Sequence, residues 1–217
     1  SARLVAEALG ADRVLHLARR SGFGTAVDEA VRTAAVLTPE ELPYLKRPSG
    51  WDPVSRTWRD EAYDMPELPH GEPVQWLWLL HDDCAPDPDA LSEMLRVVEN
   101  EHELGKEVAV VGPKLRGWYD RRQLLEVGVS IANSGRRWTG LDRREQDQGQ
   151  HDHVRPVLSV STAGMLIRRD VYEQLGGFDR RLPLMRDDVD LCWRAHAAGH
   201  RVLVAPDAVV RHAEASS

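Results

Sequence analysis

The feature that most constrains the fold is an apolar run that ends in acidic residues. Residues 74–80 read VQWLWLL, and His81, Asp82 and Asp83 follow directly. An uninterrupted run of this length predicts a β-strand buried on both faces, as in the parallel sheets of α/β proteins. The next stretch has apolar residues at helical spacing and Gly105 beyond its end, which predicts a helix of about fifteen residues. We therefore expect an open α/β sheet, in which ligands bind at the carboxyl ends of the strands.

The rest of the chain alternates strands and helices, but it departs from a regular βα repeat after residue 120. We therefore expect an α/β fold with a mixed, mostly parallel central sheet flanked by helices. The predicted helices are 3–9, 25–37 (beginning with a Thr25/Asp28 capping box) and 187–198, and the predicted strands are 14–17, 108–111, 124–131, 157–162, 202–205 and 209–210.

A proline-rich stretch interrupts what we predict to be a single domain, residues 1–217. Residues 38–73 contain seven of the thirteen prolines and show no apolar period. We predict that this stretch is an insertion or a mobile loop, or that it forms a cap over the sheet edge. The chain starts at Ser1 without Met and stops at Ser217. We therefore expect this sequence to be a fragment of a longer protein. Segments of that protein outside the fragment are expected to provide any association with a membrane.

Composition narrows the choice of partner and compartment. The 35 acidic residues outnumber the 28 Lys and Arg residues, which gives a net charge of −7 and argues against a nucleic-acid partner. Cys84 and Cys192 lie far apart and form neither a disulfide framework nor a CxxC metal site. We therefore expect a cytoplasmic setting, at the inner face of the plasma membrane if membrane segments follow elsewhere.

Three polar segments are candidates for chemistry. Asp82 and Asp83 can hold a divalent cation that bridges phosphate oxygens, or they turn the chain and cap the next helix. A second group of acids lies at the start of a predicted helix, where the helix dipole alone also favours acids. His212 follows a short strand and is either a metal ligand or a solvated side chain. The second group comprises Asp187, Asp188 and Asp190.

Five segments, in this order, resemble the family 2 glycosyltransferases with a GT-A (Rossmann-like) fold. The first looks like a glycine-containing segment near the nucleotide, and the second like the DxD-type motif. The third and fourth are similar to the "Gly, apolar, Arg, then GGFD" stretch and to the Glu-Asp motif helix, and the fifth resembles a late metal-binding His. They are 21–26 (SGFGTA), 81–91 (HDDCAPDPDAL), 161–169 (STAGMLIRR) with 176–179 (GGFD), 186–202 (RDDVDLCWRAHAAGHRV) and 209–213 (VVRHA).

The resemblance implies a bacterial enzyme of cell-wall or polysaccharide biosynthesis. Such an enzyme moves a sugar, with inversion, from a nucleotide-diphosphate sugar to a hydroxyl of a cell-envelope glycan or lipid-linked acceptor. It also implies Asp188 as the general base, Asp187 as a residue that orients the acceptor or Asp188, and Mn²⁺ or Mg²⁺ as cofactor. The implied donor-binding residues are Gly22, Phe23, Gly24, His81, Asp82 and Asp83; the acceptor-binding residues are Gly164, Asp187, Trp193 and Arg194; the metal ligands are Asp83 and His212.

Some residues allow other interpretations. Arg194 is equally a surface partner for Asp190, and a residue such as Trp193 is more often part of the core than a platform for a sugar. His81 stands where many family members have the first Asp of the DxD motif, and Asp187 stands where Glu is usual. The first strand of the family fold is expected before Ser1.

Three other functions remain open. The chain is also compatible with a degenerate, non-catalytic module that binds partners or serves as a scaffold in a larger membrane protein. A nucleotidyltransferase on a similar fold is a further alternative. The His-Asp pairs 81–82 and 151–152 suggest a metal phosphohydrolase of the HD type, which requires an all-helical fold.

Overall fold

The computed structural model describes residues 2–17, 21–37, 50–52, 57–59, 66–182 and 186–213. The helices are α1 (Ala2–Leu9), α2 (Phe23–Thr33), α3 (Ala90–Glu103), α4 (Arg169–Gln174) and α5 (Asp187–Ala197), with a 3₁₀ helix at Ala11–Arg13. The strands are β1 (Gly50–Asp52), β2 (Thr57–Arg59), β3 (Trp76–Trp78), β4 (Cys84–Pro86), β5 (Val108–Gly117), β6 (Leu124–Glu126), β7 (Ser130–Ile131), β8 (Arg137–Trp138), β9 (Arg155–Pro156), β10 (Leu166–Arg168) and β11 (Arg201–His212).

The central sheet has the strand order β3-β10-β5-β11-β4, with β6 paired to β5 and β9 paired to β11. It is mixed, which confirms the predicted α/β class and excludes the all-helical alternative. Among the described strands, only β5 and β11 pair in parallel, so the parallel share is smaller than predicted. Strands β1 and β2, and strands β7 and β8, form separate antiparallel hairpins.

Helices cover both faces of the sheet. The apolar residues of α3 recur at helical spacing and are buried against one face, together with Val108, Val111 and Leu203. Side chains of α4 and α5 pack on the other face with Val110 and Ile167, and the partly buried apolar residues of α2 join them. The periods of α3 and α5 are thus read correctly from the sequence. The buried residues of α3 include Leu91, Met94, Leu95 and Val98.

Strand β3 corrects the prediction of a fully buried strand over 74–80. It contains only Trp76–Trp78, all three residues are half-buried, and within the described residues it pairs with β10 alone. An edge strand has a neighbouring strand on one side only, so its side chains are less completely buried than those of a central strand. The apolar character of this run instead comes largely from Trp76 and Trp78, which are partly buried against the edge of the hydrophobic core.

Strands β5 and β11 are longer than predicted. β5 continues through Gly112 and Pro113, where the prediction ended it, because the missing side chain of Gly112 admits Val160: a Cβ there would lie 2.3 Å from the Val160 Cβ. Pro113 pairs with Ala205, directly before a register shift in β11. Because proline offers no N–H to the ladder, such an irregularity lets the strand pass it. The two predicted strands at 202–205 and 209–210 are thus one.

Four local predictions are wrong. Residues 14–17 form no strand, and 157–162 contain only one isolated bridge, between Val129 and Ser159. The strand predicted over 124–131 is broken at Gly128, whose φ of 78° turns the backbone. Helix α2 begins at Phe23 without a side-chain cap, because Asp28 instead accepts hydrogen bonds from Tyr172 and Arg180.

Much of the proline-rich stretch lies outside the described residues, namely 38–49, 53–56 and 60–65. The prediction of mobility or of a cap therefore falls outside the part of the chain that the structure describes. In the rest of the stretch, β1 and β2 form a hairpin and Glu67 bridges Pro73. None of the described helices has both the length and the apolar character required to cross a bilayer.

Candidate functional site

The site lies at the edge of the sheet where β11 ends and β4 begins. The chain leaves β3, turns at His81, where Cys84 N–H donates to the His81 carbonyl at 3.3 Å, and enters β4. β4 pairs antiparallel with the end of β11, which sets Cys84 opposite His212. This pairing brings Asp83 beside His212, although 129 positions separate them in the chain.

A cluster of His81, Asp83 and His212, called here the HDH cluster, has the donor atoms of a metal site. One ligand atom from each side chain lies within 4.8 Å of the others, and all three residues are half-buried. His212 Nε2 is 2.9 Å from Asp83 Oδ1, which confirms the predicted proximity of these two residues. The sequence prediction placed His81 in the donor site but did not include it among the candidate metal ligands. Its position two residues before Asp83 is the signal that could have indicated it.

Neighbouring groups hold the His81 ring in place. Thr162 Oγ1 is 2.8 Å from His81 Nε2, and the ring makes edge contacts with Phe23 and His212, at centroid distances of 5.1 and 5.4 Å. Burial, and then the proximity of His212, lower the pKa of His81. The neutral imidazole is the form that ligates a metal, and a hydrogen bond to its other nitrogen fixes its orientation.

The donor set of the HDH cluster fits a divalent cation. Two imidazoles and one carboxylate supply three protein ligands, and such sites keep positions open for substrate oxygens. Imidazole ligands favour transition ions, whereas Mg²⁺ prefers oxygen donors. Asp82, which was predicted beside Asp83 in the donor site, is exposed and lies outside the cluster.

Two acids at the start of α5 have different surroundings. Asp187 is half-buried and its negative charge acts on His81, whereas Asp188 is buried. Asp188 Oδ1 accepts the Val189 N–H at 2.8 Å, and Asp187 Oδ1 accepts the Asp188 N–H at 3.0 Å. Burial raises the pKa of Asp188, while the positive charge of Arg137 opposes that rise.

A second buried carboxylate, Glu126, lies next to Asp188. Arg137 Nη2 donates to Glu126 Oε2 and lies 3.8 Å from Asp188 Oδ2, while Ser161 N–H donates to Glu126 Oε1 at 2.8 Å. Burial raises the pKa of Glu126 to about 7. The sequence reasoning missed Glu126 and Arg137, because Glu126 stands in an ordinary alternating segment and Arg137 follows a polar turn. Only the fold joins them to α5.

The predicted glycine segment lies at the start of α2, beside the HDH cluster. Phe23 packs on His81 and on Phe178, with a centroid distance of 5.9 Å to the latter. A Cβ on Gly24 would lie 2.7 Å from the Phe178 Cβ, whereas one on Gly22 would meet nothing within 4 Å. Gly24 is thus required for the packing of α2 on the GGFD turn. A side chain at Gly22 would instead extend into unoccupied space.

Arg194 and Trp193 lie further along α5. Arg194 donates to Asp190 Oδ2 and to the carbonyls of Leu175 and Gly177 at 2.7–2.9 Å, which confirms the interpretation that it pairs with Asp190. These bonds tie α5 to the GGFD turn. The Trp193 side chain is exposed, so the alternative of a core residue is wrong.

Gly164, predicted to contact the acceptor, is buried against β5. A Cβ at this position would lie 2.4 Å from Pro113 Cγ and 3.3 Å from Val210 Cγ2. The close approach of the 161–164 turn to Pro113 therefore explains the glycine by packing alone.

We expect Gly164→Ala to lower the free energy of unfolding by about 1–3 kcal/mol, because the added methyl group overpacks a site bounded by a rigid proline ring. Urea denaturation followed by circular dichroism measures the change. Gly22→Ala is the matched control, since its methyl group enters open space. Equal stabilities of Gly164→Ala and Gly22→Ala would contradict the packing argument.

Beside α5, a cavity of about 570 Å³ opens between the β7–β8 hairpin and β9. Its walls carry an exposed indole, Trp138, and the polar side chains of Arg155 and His196. His196 lies two turns along α5 from Asp188. The cavity therefore touches α5 through His196, near the end of the helix opposite to the acidic pair.

Comparison with known proteins gives one family and one fold. A family model described as "Glycosyltransferase like family 2" matches residues 5–217. The chain is 29% identical over 192 residues to the O-antigen biosynthesis protein RfbC of Myxococcus xanthus, covering 82% of this chain and 14% of RfbC. It is 38% identical over 80 residues to the N-acetylglucosaminyl-diphospho-decaprenol L-rhamnosyltransferase of Mycobacterium tuberculosis, covering 37% of this chain and 25% of that protein.

Among solved structures, the chain is similar to GalNAc-T7, crystallised with UDP, GalNAc and Mn²⁺. The TM-score is 0.54 at 12% identity, over 92% of this chain and 32% of that one. This likeness shows the shared fold, the GT-A fold expected from the sequence motifs. The chain thus spans a quarter or less of the length of the two curated relatives and about a third of the structural one.

Proposed function

Since the chain belongs to the glycosyltransferase-like family 2, we propose that the whole protein transfers a sugar from a nucleotide-diphosphate donor to a hydroxyl of a cell-envelope glycan or lipid-linked acceptor. The observation that carries the proposal is that the HDH cluster lies next to the acidic start of α5. Asp187 is close enough for its negative charge to act on the His81 side chain. The names of the two curated relatives, an O-antigen biosynthesis protein and a rhamnosyltransferase, support this class of acceptor.

The HDH cluster would hold the divalent cation, and two imidazoles beside one carboxylate favour Mn²⁺ over Mg²⁺. A bound cation supplies positive charge that offsets the charge developing on the diphosphate leaving group. The protein needs such a charge, because its own net charge is −7. Phe23 packs on His81, and a side chain at Gly22 would meet open space. Both observations support an approach of the nucleotide to the cluster past the start of α2.

Asp188 is the proposed general base. The acceptor oxygen attacks the anomeric carbon on the face opposite the diphosphate, so that a new C–O bond forms with inversion. The hydroxyl proton moves to the Asp188 carboxylate, and the electron pair of the broken C–O bond leaves with the diphosphate. Burial raises the pKa of Asp188 and so strengthens it as a base, against the weakening effect of the helix dipole.

Equilibrium binding of nucleotides to the full-length protein tests the donor half of this proposal. UDP, dTDP and GDP are titrated in buffers that contain Mn²⁺, Mg²⁺ or a chelator. We expect at least one nucleotide to bind ~10-fold or more tightly with Mn²⁺ than with the chelator. Binding that is absent for all three nucleotides, or equal with and without metal, would count against a metal-dependent donor site.

A further inference from the structure

Two buried carboxylates lie on either side of one guanidinium nitrogen. Arg137 Nη2 contacts Glu126 Oε2 and lies 3.8 Å from Asp188 Oδ2. The Glu126 and Asp188 side chains are only 5% and 11% exposed, so neither charge is well hydrated. The three side chains come from β6, β8 and α5, and only the fold brings them together.

Among the residues that the structure describes, Arg137 is the sole basic side chain within 4.0 Å of either carboxylate, so no second described cation compensates the pair. α5 adds the charge of Asp187 and the thiol of Cys192, whose pKa burial raises to about 11, so the thiol stays neutral. The turn after β9 adds only a backbone donor, the N–H of Ser161.

The charge balance implies a shared proton. With both acids ionised, the group Glu126–Arg137–Asp188 has a net charge of −1 in a poorly hydrated space, which is costly. With one proton, the group is neutral and Arg137 has one carboxylate partner. Coupled acids of this kind release their protons as a pair rather than as independent residues.

We propose that Glu126 is a positioning residue for Asp188. The two carboxyl groups, which both lie close to Arg137, share one proton, and in this way Glu126 sets the strength of Asp188 as a base. The inference deepens the proposed function and rests on it for the role of Asp188. The raised pKa of Glu126, about 7, supports the geometry, because burial beside the Asp188 charge keeps a proton on the pair at a pH where an exposed pair of carboxyl groups would hold none.

The shared proton gives the transfer step a neutral start and a neutral end. Before transfer Glu126 is protonated, Asp188 is ionised, and Arg137 balances the charge of Asp188. As the acceptor O–H bond breaks, its proton moves to Asp188, and Glu126 releases its own proton to water. Arg137 then balances the Glu126 carboxylate, with which it is already in contact.

The pH dependence of kcat/KM of the full-length enzyme tests the inference. Glu126→Gln leaves Asp188 as the only acid of the group that can ionise and be stabilised by Arg137, so the acidic limb of the profile should move to lower pH by about one unit or more. Arg137→Met removes the stabilising cation, and the limb should move to higher pH. Glu99→Gln, which replaces another buried glutamate on α3, is the matched control and should leave the limb in place.

Opposite shifts in the two variants support the shared proton. A loss of activity without a shift of the limb would mean that Glu126 has a structural role only, and it would overturn the inference. Equal shifts in the same direction would also overturn it, because the loss of a competing acid and the loss of a stabilising cation should have opposite effects on the ionisation of Asp188.

A measurement of unfolding separates this inference from the proposed function, because it requires no transfer. The pKa of Glu126 rises from 4.5 to about 7 on folding, so its contribution to stability is present below pH 4.5 and is lost as the pH rises through 7. The stability of the wild type relative to Glu126→Gln should therefore fall between pH 4.5 and 7. A difference that stays constant over this window would overturn the shared proton even if sugar transfer is observed.

Discussion

Asp188→Asn is expected to lower the turnover of the full-length protein by ~10² or more, because it removes the carboxylate that takes the acceptor proton. The amide matches the carboxylate in size and adds no charge to the buried group, so the fold should be retained. The affinity for Mn²⁺ should stay nearly unchanged, since Asp188 is not part of the HDH cluster. Single-turnover kinetics at saturating donor measure the effect on the chemical step.

Asp190→Asn is the matched control for Asp188→Asn. Asp190 lies in the same first turn of α5 but is bound to Arg194, away from the Glu126–Arg137–Asp188 group. We expect it to retain most of the turnover. Full turnover of Asp188→Asn, under conditions where chemistry is rate-limiting, would contradict the base assignment and move it to Asp187 or Asp190.

His212→Gln is expected to weaken Mn²⁺ binding by ~10² or more, because it removes one of three protein ligands and loss of even an outer-shell partner costs 10–100-fold. Asp83→Asn should have a similar effect, since it also removes the charged ligand. Metal-dependent nucleotide binding should weaken in parallel. Calorimetric titration of the full-length protein with Mn²⁺ measures the affinities, and thermal unfolding without metal verifies that each variant is folded.

Asp82→Asn is the control for the metal prediction, because it removes a neighbouring charge that is exposed and outside the HDH cluster. It should change the Mn²⁺ affinity by less than about threefold, as expected for a screened surface charge. If Asp82→Asn weakened Mn²⁺ as much as His212→Gln did, the binding would reflect the general negative charge of the turn rather than ligation.

The parts of the site that follow from local pattern could be predicted from the sequence. The acidic turn after an apolar strand, and the acids at the start of α5, depend on strand and helix signals that act over a few residues. The proximity of Asp83 and His212 could be predicted from their match to two ligands of one metal in the family that the sequence resembles. The structure brings them together by pairing β4 with the end of β11.

Other parts depend on tertiary packing and leave little local trace. The edge position of β3 and the passage of β5 through Gly112 and Pro113 depend on neighbouring segments that are far away in the chain. Glu126 looks like an ordinary polar residue of an alternating strand, and its pKa changes only because the fold buries it beside Asp188. For the same reason the local sequence does not indicate that Gly164 packs against Pro113, and its contact with the acceptor stays a prediction.

The most direct test of the account is sugar transfer by the full-length protein from UDP-, dTDP- and GDP-linked donors to a lipid-linked diphosphate sugar acceptor. The account predicts that one donor class supports transfer with Mn²⁺, that the product has the inverted anomeric configuration, and that His212→Gln and Asp188→Asn reduce transfer at the donor and chemical steps respectively. Folded protein that binds Mn²⁺ at the HDH cluster but transfers sugar from none of these donors would contradict it, as would a product with retained configuration.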